Sequence, residues 1–212
     1  MNEITIEGIV IKNVDYNDAD RIVTVLNKDG IFSINAKGVK KITSKNAYSL
    51  NIFTRSSFEI FLSKAHHYSL KRGLFKESYF NLSNYEQMAV CSFMEEVTKY
   101  LVRDNQDKDV YPILLRTLES IKNGEDPLLA VLSYLDDLMS IEGLNVYSLD
   151  YLLEKDDPSF ERLEPLFRFL KGKSEKAEFT KKEMVDLAIL YGLYLKNHLE
   201  LNLHSIDLIK II

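Results

Sequence analysis

The stretch Ala36-Lys37-Gly38-Val39-Lys40-Lys41, followed by Ile42-Thr43-Ser44-Lys45-Asn46, places four lysines within nine residues. Ammonium groups at that density, beside a glycine that frees the backbone, attract phosphates without reading base sequence, and this term dominates nucleic-acid affinity. Phe32, Phe53, Phe61 and Tyr68 occupy neighbouring segments. Such rings offer stacking platforms for bases, although core packing competes for each of them. Nothing else spells out a reaction. Asp15, Asp18 and Asp20 lie close together, but a calcium loop opened by Asp15 would put its fifth, sixth and twelfth positions at Ala19, Asp20 and Leu26, and the match fails. The three read as solvated turn carboxylates, with a metal-dependent nuclease as the competing reading. His66 and His67 are adjacent, so on a hairpin they point apart, and no cysteine or carboxylate stands nearby in sequence to complete a metal site. No GxSxG, HExxH, Walker loop or GxGxxG occurs. A non-enzymatic protein without cofactor or metal is therefore expected.

The elements that must position the lysines read as strands. Ile4 to Asn13 is β-branched and carries Gly8, where a bulge or tight bend is expected. Arg21–Leu26 and Ile31–Lys37 flank Asn27-Lys28-Asp29-Gly30, a turn with glycine available for positive φ. Phe58, Ile60 and Leu62 alternate with polar neighbours, and Tyr68–Glu77 forms a fifth strand paired through Ser63–His67. Five short strands without an intervening helix predict a small closed barrel, which leaves no exposed edge.

From Asn81 onward the pattern turns helical. Ser83-Asn84-Tyr85-Glu86 predicts a capping box opening a helix with Val90, Phe93, Met94, Val97 and Leu101 on one face. Cys91 falls near that face and reads as a small buried hydrophobe. A second helix follows Asp109 and ends at Gly124. Asp126-Pro127 and Asp157-Pro158 each predict an N-cap with proline at the first helical position, stopped by Gly143 and Gly172. Thr180 and Glu183 form another capping box for a helix through Leu199, and Ser205 is expected to cap a short last one. The fold class is thus α+β, with a barrel over residues 1–80 and an all-helical domain over residues 81–212.

Charge divides along the same line. Net charge over the 212 residues is −5, yet residues 1–80 hold twelve Lys/Arg against eight Asp/Glu and the remainder fifteen against twenty-four. A basic front and an acidic back predict two surfaces with two kinds of partner. One cysteine excludes a disulfide framework. The start MNEITIEGIV lacks a basic leader and no apolar run reaches membrane-spanning length, so a cytosolic location without membrane contact is expected.

The pattern Tyr16-x-x-Ala19-Asp20-Arg21-Ile22-Val23-Thr24, then Gly30, then Ala36 to Lys41 with Ser44, resembles the N-terminal signature of RecO, the bacterial recombination mediator family. The likeness continues through Leu50-x-x-Phe53-Thr54, Glu59-Ile60-Phe61-Leu62 and Leu70-Lys71, and returns faintly over residues 194–212 around Ser205. It implies an OB-fold barrel followed by a helical domain, binding of single- and double-stranded DNA, and annealing of strands. It also implies partnership with RecR, docking on the acidic tail of single-stranded-DNA-binding protein, indirect loading of RecA, and work at the bacterial nucleoid. On matching positions Arg21, Lys37, Lys40 and Lys41 become DNA contacts, with Lys45 beside them and Gly38 as the hinge of a mobile loop. Arg162, Arg168, Lys171 and Lys173 are the basic residues from which a pocket for an acidic tail could be built. One departure is plain: many members carry four zinc-binding cysteines in the helical part, whereas residues 145–158 contain none, which predicts a zinc-free domain. A protein adaptor whose barrel has lost DNA binding is the alternative reading.

Overall fold

The computed structural model describes residues 2–63, 67–102, 109–173 and 178–212. Two compact units emerge, Met1–Phe80 with Val102–Pro112, and Asn81–Leu101 with Ile113–Ile212.

The first unit is built on strands β1 (Asn2–Tyr16), β2 (Asp20–Asn27), β3 (Gly30–Ala36), β4 (Thr54–Leu62) and β5 (Tyr68–Ser78). They close into a barrel in the order β1-β2-β3-β5-β4, with β1 returning to β4. The 15-residue β1 makes this possible by serving two neighbours: its first half pairs with β4 and its second with β2. Gly8 lies at that handover. A Cβ there would meet Val25 Cγ1 at 2.6 Å and the Leu26 carbonyl at 2.7 Å, so only glycine lets β1 approach β2 so closely. The register shift itself falls just beyond, between Val10 and Lys12. Closure is completed by a short parallel pairing, Ile34 with Tyr68 and Asn35 with Ser69. Inside, Ile6, Val10, Val23, Val25, Ile34, Phe58 and Ile60 pack together, joined from the loop after β3 by Val39 and Leu50. Burying such side chains contributes roughly 1.5–3 kcal/mol each, and this holds the barrel shut.

The second unit carries α1 (Tyr85–Leu101), most of α2 (Val110–Lys122), α3 (Pro127–Ile141), α4 (Phe160–Leu170), α5 (Lys181–Leu199) and α6 (Ile206–Ile209). Helix α3 packs on α1 and α5, and its Tyr134, fully buried, shares a 2.9 Å hydrogen bond with Thr98 of α1. Among the described residues no helix is long and apolar enough to cross a membrane.

Two caps form as the sequence predicts. Asp126 accepts the N–H groups of Leu128 (2.9 Å) and Leu129 (3.2 Å). Thr180 accepts from the Glu183 N–H at 3.3 Å while the Glu183 carboxylate takes the Thr180 N–H at 2.7 Å. Gly143 and Gly172 stop α3 and α4 with φ of 73° and 64°. Three others differ. Ser83 does not cap α1: its N–H is taken by Asn81 Oδ1 at 3.1 Å, and the cap is Asn84, which accepts the Gln87 N–H at 3.0 Å. Asp157 spends its carboxylate on the Ser159 N–H at 2.8 Å, so α4 begins only at Phe160 and Pro158 precedes it. Ser205 does not cap α6 with its hydroxyl. That group donates to Glu96 of α1, whose carboxylate also takes the N–H of His204 (3.0 Å) and of Ser205 (2.8 Å).

Candidate nucleic-acid interface

The lysine segment leaves β3 and is stitched to the turn between β1 and β2. Gly38, with φ of 67°, gives its N–H to the Asp20 carboxylate at 2.7 Å, and the Lys40 N–H reaches the Ala19 carbonyl at 3.0 Å. Val39, between them, is buried in the barrel core. Left-handed backbone at Gly38 is strained for other residues, which explains glycine there. These bonds tie Gly38 and Lys40 to the residues of the β1–β2 turn.

Within that frame the six candidate residues divide. Arg21 and Lys40 converge on Asp15, each at 2.9 Å. The Lys40 ammonium, then the Arg21 guanidinium, holds the Asp15 carboxyl below its usual range, so it stays ionised throughout physiological pH. This contribution would be lost only as pH falls through that lowered value. Lys37, Lys41 and Lys45 are exposed and form no ion pair among the described residues. Around β1, β4 and β5, by contrast, Arg55 is met by Glu7 (2.7 Å) and Glu77 (3.4 Å), Lys71 by Glu3 (2.6 Å) and Glu59 (3.6 Å), and Lys76 by Glu7. Lys12, Lys28 and Arg72 also form no ion pair among the described residues, but they stand singly, whereas the segment after β3 gathers three such cations within nine residues.

Asp15 and Asp20 are spent on Arg21, Lys40 and the Gly38 N–H, and among the described residues no three His, Cys, Asp or Glu side chains are placed to hold a metal. His66 lies outside the described residues. Cys91 is buried, which pushes its thiol up to about 12 and makes it inert at neutral pH.

Of the four aromatic candidates, Phe53 is fully buried against Phe80 at 5.8 Å between ring centroids. Phe32 packs on the core and tilts against Tyr68 at 5.6 Å, and Phe61 lies under the Lys71 ammonium at 5.7 Å. Only Tyr68 lines an open groove, a cavity of about 500 Å³ whose other walls include Tyr16, Ile22, Ser33, Asn35 and His67. Tyr16 is 51% exposed, and Asn35 Oδ1 is buried without a hydrogen-bond partner. The sequence reading missed Tyr16, Ser33 and Asn35 as groove residues; for Ser33 and Asn35 the alternation with buried Ile34 and Ala36 on β3 was the available signal. Groove and lysines adjoin through the strands: Ile22 pairs with Asn35, and the next pair is Arg21 with Ala36, beside Lys37.

In the helical unit, Arg162 binds Asp186 at 2.6 Å and Lys171 binds Asp136, and neither lines the cavity formed by the other two basic candidates. Arg168 and Lys173 do line it, a cavity of about 420 Å³ shared with Lys155, Phe160, Phe167 and Tyr147. Lys155 is paired there with Asp150 at 3.1 Å.

Replacing Asp15 with asparagine should release Lys40 and Arg21 toward a polyanion. The slope of log affinity against log salt on single-stranded DNA should steepen by up to about 1.4, from about 0.7 per freed cation. An unchanged slope would mean that neither side chain reaches phosphate.

Residues 1–79 match the family model for the N-terminal part of recombination protein O. The chain is 32% identical over 136 residues to the DNA repair protein RecO of Mesoplasma florum, covering 60% of this chain and 49% of that protein. It is 46% identical over 63 residues to the namesake of Mycoplasma mycoides subsp. mycoides, covering 29% of this chain and 25% of that protein. It is 28% identical over 145 residues to that of Bacillus cytotoxicus, covering 67% and 58%. The longer of these matches span about half the length of the relatives concerned.

Proposed function

The first 79 residues match the N-terminal model of the recombination protein O family, and on that premise we propose that the chain is a non-catalytic DNA-binding mediator of repair and recombination. The observation that carries this reading is the set of unpaired ammonium groups, Lys37, Lys41 and Lys45, on a braced segment beside the Tyr16–Tyr68 groove. Phosphates run along the lysines while bases turn into the groove and stack on Tyr68 and Tyr16. Single strands fit this arrangement best, and duplex binds along the lysine segment without entering the groove. Bringing two coated strands together anneals them without hydrolysing nucleotide. The strand order β1-β2-β3-β5-β4 with a parallel β3–β5 pairing supports reading the barrel as an OB-fold.

Residues 81–212 serve protein partners in this reading. Their acidic surface repels a phosphate backbone over a Debye length of about 8 Å. The cavity at Arg168 and Lys173 sets three cations, Lys155 included, against the carboxylates of Asp150 and Glu164 beside the rings of Phe160 and Phe167, a small positive excess that suits the acidic tail of single-stranded-DNA-binding protein. Contact with RecR, and through it help to RecA, completes the role at the bacterial nucleoid, in the cytoplasm that a lone buried cysteine fits.

Titrating single-stranded DNA at several salt concentrations tests the premise: affinity should fall steeply with salt. Charge reversal of Arg168 and Lys173 should abolish binding of the acidic tail peptide and spare DNA, while reversal of Lys37, Lys41 and Lys45 should do the opposite. Failure to bind DNA at low salt would leave the protein an adaptor.

A further inference from the structure

The Lys41 carbonyl accepts the Ser44 N–H at 2.9 Å, and the Lys41 N–H donates to the Gly38 carbonyl at 3.2 Å. The first bond closes a tight turn whose two central residues are Ile42 and Thr43, and the second closes the turn that precedes it. Ile42 is 105% exposed, more than any other large apolar side chain among the described residues. Beyond the turn, the Ser44 hydroxyl takes the Asn46 N–H at 3.3 Å, and Asn46 Oδ1 takes the Gly73 N–H of β5 at 3.0 Å. A β-branched side chain, stiff about χ1, is thus held outward on a turn braced at both ends, with nothing of its own chain to bury against. Unpaired Lys41 and Lys45 stand on either side of it in sequence.

Resting on the DNA-binding reading above, we propose that Ile42 is a wedge that enters between base pairs of duplex DNA while the flanking lysines neutralise the adjoining phosphates. Single apolar side chains, isoleucine among them, unstack and kink a base step when cations hold the backbone against them. The steps that open at least cost are pyrimidine–purine steps and mismatches, so the wedge directs the protein to weak points in a duplex. A basic turn with an apolar tip also suits an anionic lipid surface. One isoleucine is too little for that, since even a whole myristoyl chain anchors only marginally. A single side chain suffices for a base step.

The chain contains no tryptophan, so Ile42→Trp places one emission reporter at the tip, and an exposed turn position tolerates the change. With duplex carrying 2-aminopurine beside a central TA step, saturating wild-type protein should raise 2-aminopurine emission severalfold, and Ile42→Ala at saturation should not. Ile42→Ala should also weaken binding to that duplex on the order of tenfold, the scale of losing one buried aliphatic side chain, while single-strand affinity stays within about twofold. Emission of Ile42→Trp should be quenched by the same duplex. Duplex binding without a 2-aminopurine rise, or an equal rise with Ile42→Ala, would overturn the wedge and leave the lysine site standing. No DNA binding at all would overturn both. A blue shift of Ile42→Trp on phosphatidylserine vesicles, with no response to DNA, would assign the turn to a membrane instead.

Discussion

Replacing Lys37, Lys41 and Lys45 together with alanine should flatten the salt dependence of single-strand binding by about two units, about 0.7 for each phosphate no longer neutralised. Between 50 and 200 mM salt the wild-type protein would then lose about twentyfold more affinity than the variant, and at low salt the variant would be the weaker binder by a wide margin. These three are chosen because they are exposed and form no ion pair among the described residues. Lys40→Ala alone should have a smaller effect, since its ammonium already sits 2.9 Å from Asp15 and only part of its charge is available to a phosphate. All three side chains project into solvent, so melting temperature should not change. A triple variant with wild-type affinity and slope would place the DNA site elsewhere.

The largest stability loss is expected at Asp136 of α3. Its Oδ1 accepts from the Lys171 ammonium just past α4 and from the Tyr191 hydroxyl of α5 at 3.0 Å, and both members of the ion pair are only 12% exposed. The Lys171 ammonium also lies 5.3 Å from the centre of the Phe167 ring. Burial first, and then Asp136, pushes the Tyr191 hydroxyl well above its usual value, so it remains a donor. Asp136→Ala leaves a buried cation and a buried hydroxyl without their acceptor, which costs about 3–5 kcal/mol. At about 2–4 °C per kcal/mol for a chain of this length, melting should fall by about 10 °C. A second change, Lys171→Met, should recover part of the loss by removing the stranded charge. Because α4 carries Phe160, Phe167 and Arg168, the single variant should also weaken binding of an acidic peptide there. A shift below about 2 °C would mean that the network does not fasten α4 to α3 and α5.

The elements legible in sequence were those whose cause is local. Asp126-Pro127 and Thr180 to Glu183 make their caps within four residues, so the pattern contains every partner. The five strands were legible for a similar reason, because alternation reports a strand buried on one side, although β1 runs further than its β-branched stretch, from Asn2 to Tyr16. Where the partner is distant, local reading failed. Ser205 is an ordinary N-cap by type, yet Glu96 reaches it from 109 residues away and takes its hydroxyl. Asp157 was out by two positions, the helix starting at Phe160 rather than Pro158, because the same carboxylate can close a turn as readily as a helix.

For the candidate site, residue types alone determined that a dense run of lysines follows the third strand, that no cysteine cluster can hold zinc, and that the front of the chain is basic while the back is acidic. The tertiary structure decided which lysines are free. Asp15 and Asp20 lie in sequence among the same acidic turn residues as Asp18, and only folding brings them against Arg21, Lys40 and Gly38. It decided equally that Tyr68 and Asn35 share a groove, through a parallel pairing of β3 and β5 that no local pattern announces. Charge and periodicity are properties of the chain read in order. Ion pairing, and the choice between a ring in the core and a ring in a groove, depend on which strands become neighbours, and barrel closure alone settles that.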